Sequence, residues 1–193
     1  MEKDHIESDM GSNTQDHLGF YLEHEISPVR QDISNLDKHM ERRGSLYRYL
    51  GLPSGFFSGK KVIEVGPASG HNSLYVAACA PDEFDLLEPN PVAVNEIHEL
   101  YRHFDVPHTR PNIFSETLEA FKTDQKYDVV ICEAWLGISD HERGLMKKLA
   151  GLVKKEGVLV TTLVSATGLF FNMVRRLIAH QLISSSDDLD EKS

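Results

Sequence analysis

From residue 60 onward the chain alternates two hydrophobic periods. Lys61–Val65 is a short apolar run of β-formers and predicts a strand. Gly70–Ala80 is apolar and alanine-rich, is stopped by Pro81, and predicts a buried helix. Glu83–Glu88 predicts a second strand. In Pro91–Phe104, Val94, Ile97, Leu100, Tyr101 and Phe104 recur at helical spacing and mark an amphipathic helix. A short third strand, with a faint signal, falls within Thr109–Phe114, and a stub of helix follows at Thr117–Phe121. Tyr127–Cys132 predicts a strand. Ser139–Lys155 predicts a helix with Leu145, Leu149, Leu152 and Val153 on one face and Gly157 at its C-cap, and Val158–Val164 predicts a fifth strand. Strands alternating with helices imply an α/β fold with a doubly wound, mostly parallel sheet, and near-continuous apolar strands fit burial on both faces. Ligands of such sheets sit outside the carboxyl ends of the strands, so the chemistry is sought there.

The flanks are of another kind. Residues 17–59 read as a helical N-terminal segment, with Leu36, Met40, Tyr47 and Leu50 along one side of a helix interrupted near Gly44. Gly51–Lys60 is a connector rich in Gly, Pro and Ser. The chain carries a formal charge of −10, but residues 1–16 hold one lysine against five acids and residues 187–193 one lysine against four, which leaves the middle at −3. Residues 1–16 and 184–193 are therefore expected to be a disordered acidic head and tail around a ligand-binding domain over 60–183. Without a basic face, binding along a nucleic acid backbone is excluded. No run is long enough to span a membrane, and the acidic start is unlike a signal peptide, so a cytoplasmic protein without a membrane partner is expected. Cys79 and Cys132 read as buried free thiols of a reducing compartment. The ten histidines lack metal-ligand spacing, so no metal is expected.

Two strand ends carry the candidate chemistry. After the first comes Glu64-Val-Gly66-Pro67-Ala68-Ser-Gly70-His-Asn, where Gly66 and Gly70 permit a tight turn and close backbone approach, and a helix starts near Ser69–Asn72. After the second comes Glu88, 22 positions beyond Gly66, placed to accept hydrogen bonds from both hydroxyls of a ribose. Pro89 and Pro91 shape its exit, and Asn90 is a helix cap. Ser139-Asp-His-Glu142 reads as a capping box.

A hydrophobic strand, Glu-x-Gly-x-(Gly/Ala)-x-Gly, and a next strand ending in an acid resemble the class I S-adenosylmethionine-dependent methyltransferases. YDVVICEAWLG and LAGLVKKEGVLVTT resemble that family's fourth and fifth strand regions, so the likeness runs over roughly residues 40–180. It implies a Rossmann-like methyltransferase fold with S-adenosylmethionine as cofactor. It also implies roles. Glu64, Gly66, Pro67, Ala68 and Gly70 would form the loop beneath the methionine part. Glu88 would hold the ribose, with Pro89 and Asn90 near the adenine. Asn112 and Ile113, after the third strand, would flank the adenine. Glu133, Ala134 and Trp135 would face the sulfonium and the acceptor, with Glu133 as general base or as a loop-ordering hydrogen-bond partner. The acceptor is expected to be a small molecule or sugar-like metabolite. A dinucleotide turn would set glycines at 66, 68 and 71, where the chain has Gly66, Ala68 and His71. An NAD(P)-dependent oxidoreductase is the competing reading, and a non-catalytic S-adenosylmethionine-binding or assembly module the other.

The family's sheet continues beyond a fifth strand, whereas here that strand leads to an apolar stretch, Gly168–Ile183. The last strands are thus expected to be lacking. A missing C-terminal region, a second copy in a homodimer or the N-terminal segment would cover the exposed edge.

Overall fold

The structure is a computed structural model that describes residues 13–28, 30–134, 136, 140–163 and 165–190. The chain divides into two compact units, Met1–Thr162 and Leu163–Ser193.

The larger unit holds a five-stranded, wholly parallel sheet in the order β3-β2-β1-β4-β5. Its strands are β1 (Lys61–Val65), β2 (Glu83–Leu87), β3 (Asn112–Phe114), β4 (Tyr127–Cys132) and β5 (Val153–Thr161). Before them come α1 (Asn13–Glu23) and α2 (Leu36–Tyr49). Between them lie α3 (Ser73–Ala78), α4 (Pro91–His103) and α5 (Asp140–Leu152). The two-residue side-chain period of the strands separates two cores. Val62, Phe84, Leu86, Val129 and Ile131 face Tyr47, Leu74, Ile97 and Tyr101 of α2, α3 and α4. Ile63, Val65, Leu87, Val130 and Cys132 face Leu145 and Leu149 of α5. That two-sided cover is what a parallel sheet requires, and it leaves the carboxyl ends of β1, β2 and β4 together on one rim.

The strand–helix order is the expected one, and β1 and β4 have the expected bounds. Several details differ. Gly44 does not interrupt α2: it admits Tyr75, whose ring would lie 3.1 Å from an added Cβ. Gly157 is not a helix C-cap, because α5 ends at Leu152 and β5 begins at Val153. Gly157 sits at the irregularity where β5 slips against Tyr127–Val129, and a Cβ there would meet the Asp128 carbonyl at 2.9 Å. Thr117–Phe121 is a hydrogen-bonded turn. In the smaller unit, α6 (Ala166–Asp190) runs on through the stretch expected as a polar tail. No helix among the described residues is long and apolar enough to cross a membrane. The described residues contain no His/Cys/Asp/Glu group able to hold a metal ion.

Candidate functional site

The rim is built from four loops. After β1 the backbone takes left-handed conformations at Gly66 (φ 73°), Ala68 (φ 50°) and Gly70 (φ 74°). Gly70 has a second constraint, since a Cβ would stand 2.9 Å from Ile97 Cγ1 on α4. The loop is stitched to β2: Gly66 N–H donates to the Leu87 carbonyl at 2.9 Å. α3 starts at Ser73, later than the expected Ser69–Asn72.

Glu88 ties this loop to the next. One carboxylate oxygen accepts the Ala68 N–H at 2.9 Å and the other accepts the Asn90 N–H at 2.9 Å. Burial raises its pKa, and those two backbone donors oppose the shift. Each oxygen retains a free lone pair for a ligand hydroxyl. Asn90 caps α4 through the Val92 N–H at 2.9 Å, with Pro91 at the first helical position, as expected. Its amide also donates to the Ile26 carbonyl at 2.8 Å.

Glu64 and Glu133 lie in one buried polar cluster with two residues that the strand-end motifs do not contain. Arg43, on α2, donates through Nη2 to both Glu133 oxygens at 2.9 and 3.0 Å and to the Tyr47 hydroxyl at 3.1 Å. The Tyr47 hydroxyl in turn donates to Glu133 at 3.3 Å. Burial opposes the Arg43 charge, but its hydrogen bond to Glu133 and the surrounding negative groups hold its pKa above the ordinary range. Glu64 is buried. Burial, then the Glu133 charge, pushes its carboxyl up to about 7, while the Ser73 hydroxyl and Arg43 favour the anion. Ala134 takes a left-handed turn (φ 67°) just after Glu133.

Residues 26–28 and 30–43 cross the rim as a strap with four ties. They are Ile26 to Asn90, an ion pair of Arg30 with Glu96 on α4, His39 Nε2 to the His71 carbonyl at 2.9 Å, and Arg43 to Glu133.

The structure thus assembles Glu64, Gly66, Pro67, Ala68, Gly70, Glu88, Pro89, Asn90, Glu133 and Ala134 along one rim. Asn112 and Ile113 stand one strand further out, with Ile113 in the same register as Leu86 and Glu64. Both lie within β3 rather than after it, level with Asp85 and Leu86, and the Asn112 amide donates to Asp85 at 2.8 Å. Trp135 and Ser139 lie outside the described residues. Arg43 was missed, although the sequence holds a signal: a charged residue on the same side of α2 as Met40 and Tyr47.

Residues 36–185 match the model of a family described as a methyltransferase domain, which is most of the chain. The chain belongs to the class I S-adenosylmethionine-dependent methyltransferase family. Solved structures agree in fold. The magnesium protoporphyrin IX methyltransferase of Synechocystis PCC 6803, with bound S-adenosylhomocysteine, is 16% identical with a TM-score of 0.58, over 88% of this chain and 74% of that one. The N-methyltransferase NodS of Bradyrhizobium japonicum WM9, also with S-adenosylhomocysteine, is 17% identical with a TM-score of 0.56, over 77% and 72%. Coclaurine N-methyltransferase bound to N-methylheliamine and S-adenosylhomocysteine is 16% identical with a TM-score of 0.54, and the methyltransferase chain described here spans 38% of its length. No curated protein sequence matches.

Proposed function

We propose that this methyltransferase chain moves a methyl group from S-adenosylmethionine to a small-molecule or sugar-like acceptor. The observation that carries the cofactor is the Glu88 carboxylate, fixed by two backbone N–H donors at the exit of β2 with lone pairs left over. The fit extends to Glu64, whose buried Oε2 has no hydrogen-bond partner among the described residues and so asks for a donor such as the cofactor's ammonium. In this reading the Glu64–Gly70 loop carries the methionine part, Glu88 the ribose hydroxyls, and Pro89 and Asn90 border the adenine.

Bound S-adenosylmethionine supplies a methyl carbon already activated by its sulfonium. What remains for the protein is to orient the acceptor and exclude water. The strap of residues 26–28 and 30–43 is the segment placed to exclude it. Glu133, bonded to Arg43 and Tyr47, acts as the anchor of α2 rather than as a free general base. That arrangement favours an acceptor atom that is nucleophilic without losing a proton first. The small-molecule reading draws support from the acceptors named for two similar enzymes, coclaurine and magnesium protoporphyrin IX.

Calorimetry with S-adenosylmethionine, S-adenosylhomocysteine and NAD tests the cofactor. Both sulfur nucleosides should bind and NAD should not. Binding of NAD alone would overturn the assignment. Transfer of labelled methyl from S-adenosylmethionine into pools of small amines and hydroxylated metabolites then tests the acceptor class, which is wrong if only a protein or nucleic acid pool takes up label.

A further inference from the structure

Glu64 closes the apolar run of β1 on the side of α2, α3 and α4 and is 4% exposed. Among the described residues its Oε2 has no hydrogen-bond partner, and Arg43 Nε and the Tyr101 hydroxyl are buried without partners as well. The groups that face it come from every element packed around it: Arg43 and Tyr47 from α2, Ser73 from α3, Tyr101 from α4, and Cys132 and Glu133 from the end of β4. The single cation of this set is Arg43, and Arg43 is already bonded to Glu133. An ionised Glu64 would place a second negative charge beside one guanidinium, away from bulk solvent. The carboxyl accordingly titrates near neutrality, at about 7.

Deepening the S-adenosylmethionine reading on which it rests, we propose that Glu64 receives the ammonium of the cofactor's amino-acid end and surrenders its own proton in doing so, so that cofactor binding expels a proton from the protein. The exchange balances. A neutral carboxyl and an ammonium ligand become a carboxylate–ammonium pair; the carboxyl O–H bond is the only bond broken, and its proton passes to solvent. The incoming N–H fills the vacancy at Oε2, and its charge offsets the carboxylate that burial alone disfavours. Arg43 stays with Glu133 throughout, which confines the exchange to Glu64.

The test is calorimetry on the full chain with S-adenosylmethionine at pH 7, repeated in buffers of different ionisation enthalpy, which counts the protons released. With the carboxyl titrating near 7, a net release of a fraction of a proton per cofactor is expected, the loss from Glu64 less the small uptake by the cofactor's partly deprotonated amine. Glu64→Gln, isosteric and unable to ionise, should bind about tenfold or more weakly and lack this release. Carbon-13 NMR of glutamate-labelled wild-type protein does not depend on how the variant folds. One carboxyl carbon should titrate near neutrality in the free protein and move to its carboxylate position when cofactor saturates the chain at pH 6.5. Binding without proton release, or equal release from Glu64→Gln, overturns the proposal and leaves the cofactor assignment standing. Failure of both sulfur nucleosides to bind overturns the assignment and the proposal together.

Discussion

Arg43→Met should be the most destabilising single change at the rim. The wild-type guanidinium side chain is 8% exposed and its Glu133 partner 16% exposed, so neither charge is solvated by bulk water. Removing the cation strands Glu133, takes a donor from Tyr47 and deprives the buried Glu64 of the one positive charge that faces it among the described residues. Breaking one side of a buried pair costs about 3–5 kcal/mol. Glu133 keeps some access to water, which places the expectation at the lower end, about 3 kcal/mol. Glu133→Gln in the Arg43→Met background removes the stranded charge and should recover part of the loss. A double-mutant cycle from urea unfolding at pH 7 would then give a coupling of about 1.5–3 kcal/mol between the two residues. The m-value should hold constant across the cycle, since α2 remains docked through Tyr47 and Met40. Additive losses, with a coupling under about 0.5 kcal/mol, would refute the ion pair as an anchor of the strap.

Three further outcomes follow from the same geometry. Glu64 binds its proton more tightly folded than unfolded, so its contribution to stability is full below about pH 4.5 and is lost as pH rises through about 7. Glu64→Gln should abolish that loss and gain up to about 3 kcal/mol over wild type at pH 8 in a pH series of urea midpoints, whereas a pH-independent difference would contradict it. Gly70→Ala, at φ 74° and 2.9 Å from Ile97, should cost about 2 kcal/mol by thermal unfolding, and an unchanged midpoint would show that the loop adopts another path. Glu88→Ala should weaken S-adenosylmethionine binding by about 1–3 kcal/mol in calorimetry, and equal affinity would remove Glu88 from the ribose position.

What the chain discloses on inspection is what short-range physics decides. β1 and β4 announce themselves because a parallel strand covered on both faces must be apolar throughout, and Asn90-Pro91 marks the start of α4 because cap and first-turn preferences are local. The Glu64–Gly70 loop and Glu88 are legible for the same reason: left-handed backbone and strand-end acids leave a residue-type signature. The remainder depends on neighbours distant along the chain. Arg43 makes sense only opposite Glu133, 90 residues on. Asn112 reads as a post-strand residue until Asp85, on the adjacent strand, claims its amide. Gly157, after a lysine-rich stretch, imitates a helix C-cap, while the actual constraint is the Asp128 carbonyl across the sheet. Gly44 likewise imitates a break and is instead a berth for Tyr75.

Under the proposed function, the two halves of the rim are expected to govern different aspects of ligand exchange. The Glu88 carboxylate binds the glycine loop to the β2 exit before any ligand arrives, so the cradle is preorganised and affinity is spent on contacts rather than on ordering the loop. The strap is tied across the same rim, and under the proposed function its ties are expected to part when a nucleoside enters. Equilibrium and traffic are thereby separated. Loosening an outer tie, such as Arg30 to Glu96, should quicken arrival and departure alike and leave the dissociation constant nearly where it was. For the proposed methyl transfer, product escape beneath the strap is the step expected to limit turnover, to be checked by a pre-steady-state burst of methylated product.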